Sequence, residues 1–418
     1  MEGRRYMKGK DTNFSLLALR IGVSTVDETS GSTGIQVYNL SPNQLMELHY
    51  YEDITKANVV LALKINDTSS ALLDSIIGME PIDISWTDLN ENVITYSMVI
   101  VDLQDRMVID GKTSEGVIYC ASIEAVKNSA TKISRKFKGK TNEMVRDLCK
   151  IDLQSKKTLD LDPSLTDMTF VSPWWDPYTI ISWLAWRSIP EAGNAGERSA
   201  GFLFYEDREG YHFKSMDKLV GQETTTTIEV NVKETEDSDA IHISSFTLSG
   251  SSDIFRGLNL GSYASTTFTL DMKDFKYEKH PYFISEYYPK MQKLNDRELP
   301  EFYKRFGDKG AIPTRIMTKV MDSAAFTTGK YTEDLTRQLS QSMIRNQFFF
   351  NQTGTFEYEG DQDLLLGEVV QINKYDARSG DLDIDISGRY IVGKIYRQFL
   401  TERDTMSTRV TVYRDSLG

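Results

Sequence analysis

Two Gly-Lys-Thr triplets, Gly111–Thr113 and Gly139–Thr141, raise the chemistry of phosphate binding, in which backbone N–H groups cradle the anion and a lysine neutralises it. Such a loop needs a further glycine five residues before the second, and Arg106 and Ser134 stand there. Asp381, Asp383 and Asp385 are spaced by two, as in a calcium loop, but position 386 is Ile where the turn glycine belongs and no Glu closes the loop. That spacing instead predicts a strand with three carboxylates on a solvated face and Leu382, Ile384 and Ile386 on the other. The histidines (His49, His212, His242, His280) have no partner at metal-ligand spacing, and His212, between Tyr211 and Phe213, is expected on the outer face of a hairpin. Cys120 lies in an apolar run and Cys149 ends a helix, so neither reads as an activated thiolate. No Gly-x-Ser-x-Gly elbow occurs, and acidic pairs are too frequent to select a site. The sequence therefore predicts no catalytic, cofactor-binding or metal-binding residues.

The bulk properties are those of a soluble, folded chain. At 418 residues and 47.6 kDa, one core is too few, and two to four domains are expected. Hydrophobic residues make up 40% and charged ones 26%, an ordinary globular balance. No apolar run approaches the roughly 18–20 residues of a membrane span, and no signal-peptide core follows the first ten residues. Two cysteines cannot build a disulfide framework, so free thiols in a reducing cytoplasm are expected. A net charge of −13 argues against general nucleic-acid binding. The basic run Lys127, Lys132, Arg135, Lys136, Lys138 and Lys140 is a local exception: a solvated face, or a contact for an acidic partner.

Strand patterns dominate both ends. Residues 58–65 and 93–101 are β-branched strand-length runs, and Ile82, Ile84 and Trp86 share one face of another. Residues 70–78 read as a short helix ended by Gly78. Thr141 is the expected N-cap of a helix that turns Met144, Val145 and Leu148 inward. Four of the five tryptophans then fall within Pro173–Trp186, an apolar helix, followed by an aromatic hairpin at Gly201–Ser215. Trp183, Leu184, Phe202, Phe204 and Phe213 are its expected core, while Trp174 and Trp175 belong either to that core or to a partner's surface. Residues 222–238 alternate as a strand; 275–306 show no clear period. Thr332 is expected to cap a helix carrying Leu335, Leu339 and Met343. Strands at 347–350, 355–358, 367–372, 390–399 and 406–413 follow, with a last turn at Thr401–Asp404. The fold class is α+β, mostly β. Two small antiparallel β-barrel-like domains, at 1–138 and 331–418 with its leading helix, flank an α+β domain at 139–240. Residues 241–330 form a mixed connecting region shared between the second β-domain and the α+β domain.

The ordered set of motifs resembles the baseplate hub proteins of contractile-tailed bacteriophages. The match lies in Trp175–Pro177, Trp183–Ala185, Gly201–Glu206 and Gly210–Ser215. It extends to Tyr51–Ile54, Ile65–Asp67, Ile77–Glu80, Ser122–Glu124, Asn128, Phe137–Gly139, Phe255–Gly261 and the closing stretches 387–391 and 408–416. The resemblance implies a structural virion protein: a homotrimer whose two tube domains per chain alternate around a ring, joining the hexameric tail tube to the central spike. Implied partners are the tail tube protein, the central spike protein, baseplate wedge or ring proteins and the tape measure protein. DNA would pass the lumen without specific binding. Localisation would be the tail baseplate of a virion after synthesis in a host bacterial cytoplasm. The alternatives are another ring-forming tube or distal-tail adaptor protein, or a cell-wall-acting enzyme.

Overall fold

The structure is a computed structural model, and it describes residues 15–26, 33–40, 44–87, 93–109, 112–191, 201–231, 240–249, 254–295, 302–321, 345–376, 378–400 and 405–416. The helix expected from Thr332, the turn at Thr401–Asp404 and Gly111 lie outside these residues, as does the end of the 222–238 strand.

The N-terminal third forms seven strands: β1 (Ser15–Val26), β2 (Thr33–Asn39), β3 (Leu45–Asp53), β4 (Val60–Asp67), β5 (Pro81–Thr87), β6 (Val93–Val108) and β7 (Ser114–Ala121). All pairs among them are antiparallel, in the order β3-β4-β7-β6-β5-β1-β2. Alternation drives this arrangement: Ile82, Ile84 and Trp86 on β5 face inward with Leu61, Leu63 and Ile65 on β4, and all are buried.

The centre of the chain supplies β8 (Lys136–Lys140), β9 (Thr158–Leu161), β10 (Asp167–Val171), β11 (Phe202–Asp207) and β12 (Gly210–Ser215). Strands β8 and β10 pair with each other; β11 and β12 form the aromatic hairpin, with β9 parallel on its outer side. The helix Pro177–Ala185 starts where it should: the Asp176 carboxylate accepts the Thr179 N–H at 2.9 Å and proline occupies the first turn. Every residue of β11 is buried, because the strand separates two cores. Phe202 and Phe204 join the helix-packed core, and Leu203 and Tyr205 join that of the second β-unit. A strand covered on both faces is expected to be apolar, and Phe202–Tyr205 is; the buried carboxylates of Glu206 and Asp207 that end it are paired with Ser122 and His212.

The second β-unit gathers distant segments: β13 (Thr224–Val230), β14 (Ile241–Ile243) and β15 (Phe246–Ser249) from before an inserted sheet, and four strands from the C-terminus. The insert is β16 (Ala264–Asp271), β17 (Tyr277–Phe283) and β18 (Arg315–Met321), ordered β17-β16-β18. The last four are β19 (Gln352–Glu359), β20 (Val369–Lys374), β21 (Gly388–Leu400) and β22 (Thr405–Arg414). Outside the insert, β13 pairs in parallel with β14 and with β20 and the other pairs are antiparallel; within the insert, β16 pairs antiparallel with β17 and in parallel with β18. Among the described residues no strand pair closes either unit into a barrel.

Strand β21 is the seam of the molecule. Its first residues pair with β20 (Ile391 opposite Val369) and its second half pairs with β3 (Lys394 opposite Asp53 to Leu400 opposite Glu47). The switch falls at Gly393, where any Cβ would collide with the Tyr413 ring, so glycine is required. One continuous sheet of 14 strands results, with a separate core on each side of the seam. The α+β expectation, mostly β, is therefore met. Residues 345–349 are helical, where a strand was expected at 347–350. Helical spacing sends Phe348 into the small core beside the inserted sheet and Phe349 into that of the second β-unit, and this packing overrides their β propensity.

Candidate functional site

The residues that suggested small-molecule chemistry are placed where they serve structure. Gly139 and Lys140 end β8 and Thr141 opens a helix as its first residue rather than its cap. The Thr141 hydroxyl lies 2.7 Å from those of Ser164 and Ser188, and Lys140 pairs with Glu191 at 3.7 Å. Asp381, Asp383 and Asp385 lie in an irregular turn between β20 and β21, not on a strand. Asp376 accepts the N–H groups of Arg378 and Ser379, and Asp383 that of Asp385, so local side-chain turns outcompete strand pairing there. Among the described residues no group of three or more His, Cys, Asp or Glu could hold a metal. A pocket of about 130 Å³ beside Tyr263, Asn346 and Asn351 falls short of the roughly 300 Å³ of an ordinary ligand site.

His212 is buried, contrary to the sequence expectation, because it stands opposite Tyr205 on the face turned to the second β-unit, with Asp160 of β9 beside it in the sheet. Its Nε2 lies 2.8 Å from Asp207 and its ring stacks on Tyr205 at 4.9 Å. Burial disfavours the charged ring, but Asp207 and Asp160 outweigh it and raise the pKa above 6.5. Both cysteines are buried, which pushes each thiol up to about 12. The basic run is partly neutralised within the chain. Lys127 donates to the Leu153 carbonyl at 3.1 Å, Lys132 pairs with Asp176 at 3.3 Å, and Arg135 grips Asp152 through two bonds of 2.6 Å.

The tryptophans divide differently from expectation. Leu184, Phe202, Phe204 and Phe213 are buried as expected, but Trp183 is half-buried, flanking the inward stripe of Ile180, Ile181 and Leu184. Phe170 packs 4.6 Å from it, and the Arg187 guanidinium covers its ring at 3.9 Å. Trp175 is half-buried against Trp183, whereas Trp174 is 67% exposed at φ 62°. The wholly buried tryptophan is Trp86, in the first β-unit.

The chemically dense feature is instead a junction of buried charges along the seam. Arg397 on β21, fully buried, lies 3.0 Å from both Glu52 of β3 and Asp361 of the loop after β19. Glu52 also accepts the Tyr50 hydroxyl and the Arg208 backbone N–H, each at 2.8 Å, and the Arg208 side chain pairs with Asp361 and Asp363. Arg208 is the tip of the β11–β12 hairpin, so four segments meet on one network. Burial works against the charge on Arg397, but Asp361 and Glu52 more than offset it and hold its pKa above the ordinary guanidinium value. Glu52 is raised by burial against the opposing pull of Arg397. Two similar clusters lie nearby. Arg345 holds Asp415 at 2.7 Å and Asp217 at 3.3 Å, while Glu206 binds the Ser122 hydroxyl at 2.7 Å together with Lys157. Pairing in such networks mainly offsets the cost of burying the charges, so removing one partner is costly.

No protein-family model matches the sequence, and no curated protein does. Solved structures do. A tail protein from Neisseria meningitidis MC58 is similar over 96% of this chain and 97% of its own, with a TM-score of 0.57 at 10% identity. The 43 kDa tail protein of prophage MuSo2 from Shewanella oneidensis is similar over 96% and 98%, with a TM-score of 0.52 at 10% identity. The chain has a phage tail-protein fold. The same fold extends to a chain of the Francisella PdpA–VgrG complex, at a TM-score of 0.50 and 10% identity, over 97% of this chain and 54% of that longer one.

Within this tail-protein fold, the junction explains one motif and reveals others. Tyr51–Ile54 matched the hub pattern, and the structure shows why Glu52 is built in: it is one pole of the seam. Arg397, Asp361, Arg208 and Arg345 gave no signal, because their partners stand up to 345 residues away.

Proposed function

We propose that this chain is a baseplate hub: a homotrimeric ring that joins the hexameric tail tube to the central spike of a contractile tail. The observation that carries the reading is the pair of β-units, each with its own core, fused in one chain through β21 and β3. Three such chains present six β-units, which matches a six-fold tube above while leaving a three-fold surface for a spike below. In that reading the tube domains are built on residues 1–138 and 331–418, with β13–β15 joining the second, and 139–240 is the α+β domain. The buried charge junction then holds the two units of a chain at the fixed angle a closed ring needs.

The role is structural rather than enzymatic, and the protein resides in the tail baseplate. Tube and spike proteins are its direct partners, with wedge or ring proteins and the tape measure protein around them. An excess of negative charge suits a lumen through which DNA slides without being held. The test is seeding. Purified chain added to soluble tail tube protein should remove the lag of tube polymerisation and remain at one tube end in micrographs. A lag unchanged at equimolar chain would refute the hub role. A second outcome, turnover of cell-wall polymer abolished by one carboxylate substitution, would establish an enzyme instead.

A further inference from the structure

Two apolar surfaces of this chain lie open, and their charges are opposite. The first is the far half of β6. Strand β5 covers its edge only as far as Val99, while β7 follows its other edge to Val108. From Val101 onward the outer edge has no strand beside it among the described residues. Val101, Met107, Val108 and Ile109 are each at least 46% exposed there. Asp102 and Asp105 stand among them, and Arg106 is already paired with Asp74. The unit that carries this edge is strongly acidic: residues 15–121 hold fifteen Asp and Glu against five Lys and Arg.

The second surface is one face of the inserted sheet. The register puts Thr266, Phe268 and Leu270 of β16 on the same face as Pro281, Lys279 and Tyr277 of β17 and Ile316, Thr318 and Val320 of β18. Tyr277, Ile316 and Val320 are at least 62% exposed, and Phe268 stacks on Tyr277 at 5.3 Å rather than beneath a covering layer. Lys279 is exposed at the middle of this face. The surrounding segment reverses the charge of the chain: residues 254–321 hold twelve Lys and Arg against eight Asp and Glu, in a protein of net −13.

We infer that these surfaces are the two halves of one contact between copies of this chain: the overhanging end of β6 covers the open face of the β17-β16-β18 sheet of the next subunit. Apolar patches of this kind mark interfaces, and a bare strand edge invites pairing unless something covers it. The charges then set the orientation, with Asp102 and Asp105 facing Lys279. Because the two halves differ, the contact is heterologous, and three copies repeating it about a three-fold axis form a closed ring. The inference rests on the trimeric reading above and names the surfaces that would build it.

Charge reversal tests it on the full chain. Asp102→Lys and Lys279→Glu change exposed side chains, so each variant should keep its circular dichroism spectrum and Tm. Each should raise the trimer dissociation constant about tenfold or more in sedimentation velocity, and the double variant should return to within about threefold of the native chain. In a second arm, Met107→Cys with Ile316→Cys should form a disulfide between subunits of the native-sized trimer, since the two natural thiols are buried. Single variants that trimerise normally, or a double variant no better than the worse single one, together with absence of the cross-link, overturn the contact while the trimer stands. A native chain that stays monomeric at about 50 μM, by contrast, overturns the trimeric reading itself.

Discussion

Replacing Arg397 with leucine isolates what the seam contributes. The side chain is fully buried, with carboxylates of Glu52 and Asp361 each 3.0 Å away. Leucine keeps much of the volume but takes the buried cation from Glu52 and leaves Asp361 only its 3.6 Å contact with Arg208, a change that costs about 3–5 kcal/mol. Because the chain holds several cores, a single unfolding free energy is ill-defined, and local opening is the better readout. Amides of β3 between Glu47 and Asp53 and of β21 between Lys394 and Leu400 should exchange with deuterium about two to nearly four orders of magnitude faster, at about 1.4 kcal/mol per tenfold. Adding Glu52→Gln and Asp361→Asn should recover more than half of that loss. The amide oxygen introduced by Glu52→Gln would still accept the Tyr50 hydroxyl and the Arg208 N–H, and no unpaired charge would remain. Exchange accelerated less than about tenfold in the single variant would refute the reasoning. So would a triple variant that exchanges as fast as the single one, because stranded charge would then not be the cause.

Other expectations follow from the same geometry. Trp86→Ala, which empties a fully buried site, should cost about 3–5 kcal/mol, while Trp183→Ala at its half-buried flank should cost about half as much; amide exchange of β5 and of the helix Pro177–Ala185 reads each loss in its own unit. The raised pKa of His212 gives stability that is complete below pH 6.5 and is lost as pH rises through the folded value; His212→Phe should flatten this slope in thermal unfolding scans between about pH 6 and 9. Neither native thiol should react with Ellman's reagent at about pH 8, and both should react in about 6 M guanidinium; rapid native labelling would contradict their burial.

What the sequence made legible follows from the range of the interactions. Strand β5 could be read because Ile82, Ile84 and Trp86 alternate with exposed neighbours, and the hairpin Phe202–Ser215 because turn residues separate two aromatic runs. The inserted sheet was hidden, since Ser265 and Thr267 are buried on β16 and blur the apolar alternation that marks a strand. Trp183 reads as deeper than it lies because aromatic content does not reveal which side of a helix faces the core; the stripe through Ile180 and Leu184 does. His212 reads as a surface residue because hairpin alternation cannot show that its face, shared with Tyr205, packs on the second β-unit. The seam itself was out of reach. Glu52, Arg208, Asp361 and Arg397 come together only after two β-units, an aromatic hairpin and a loop have been assembled.

The trimeric hub is tested most directly by the native mass of the purified chain together with the symmetry of its particles by electron microscopy. The account predicts about 143 kDa, three times 47.6 kDa, in three-fold particles with six β-dense units around a central hole. A monomer of 47.6 kDa at micromolar concentration, or a ring whose subunit number is not three, would contradict it.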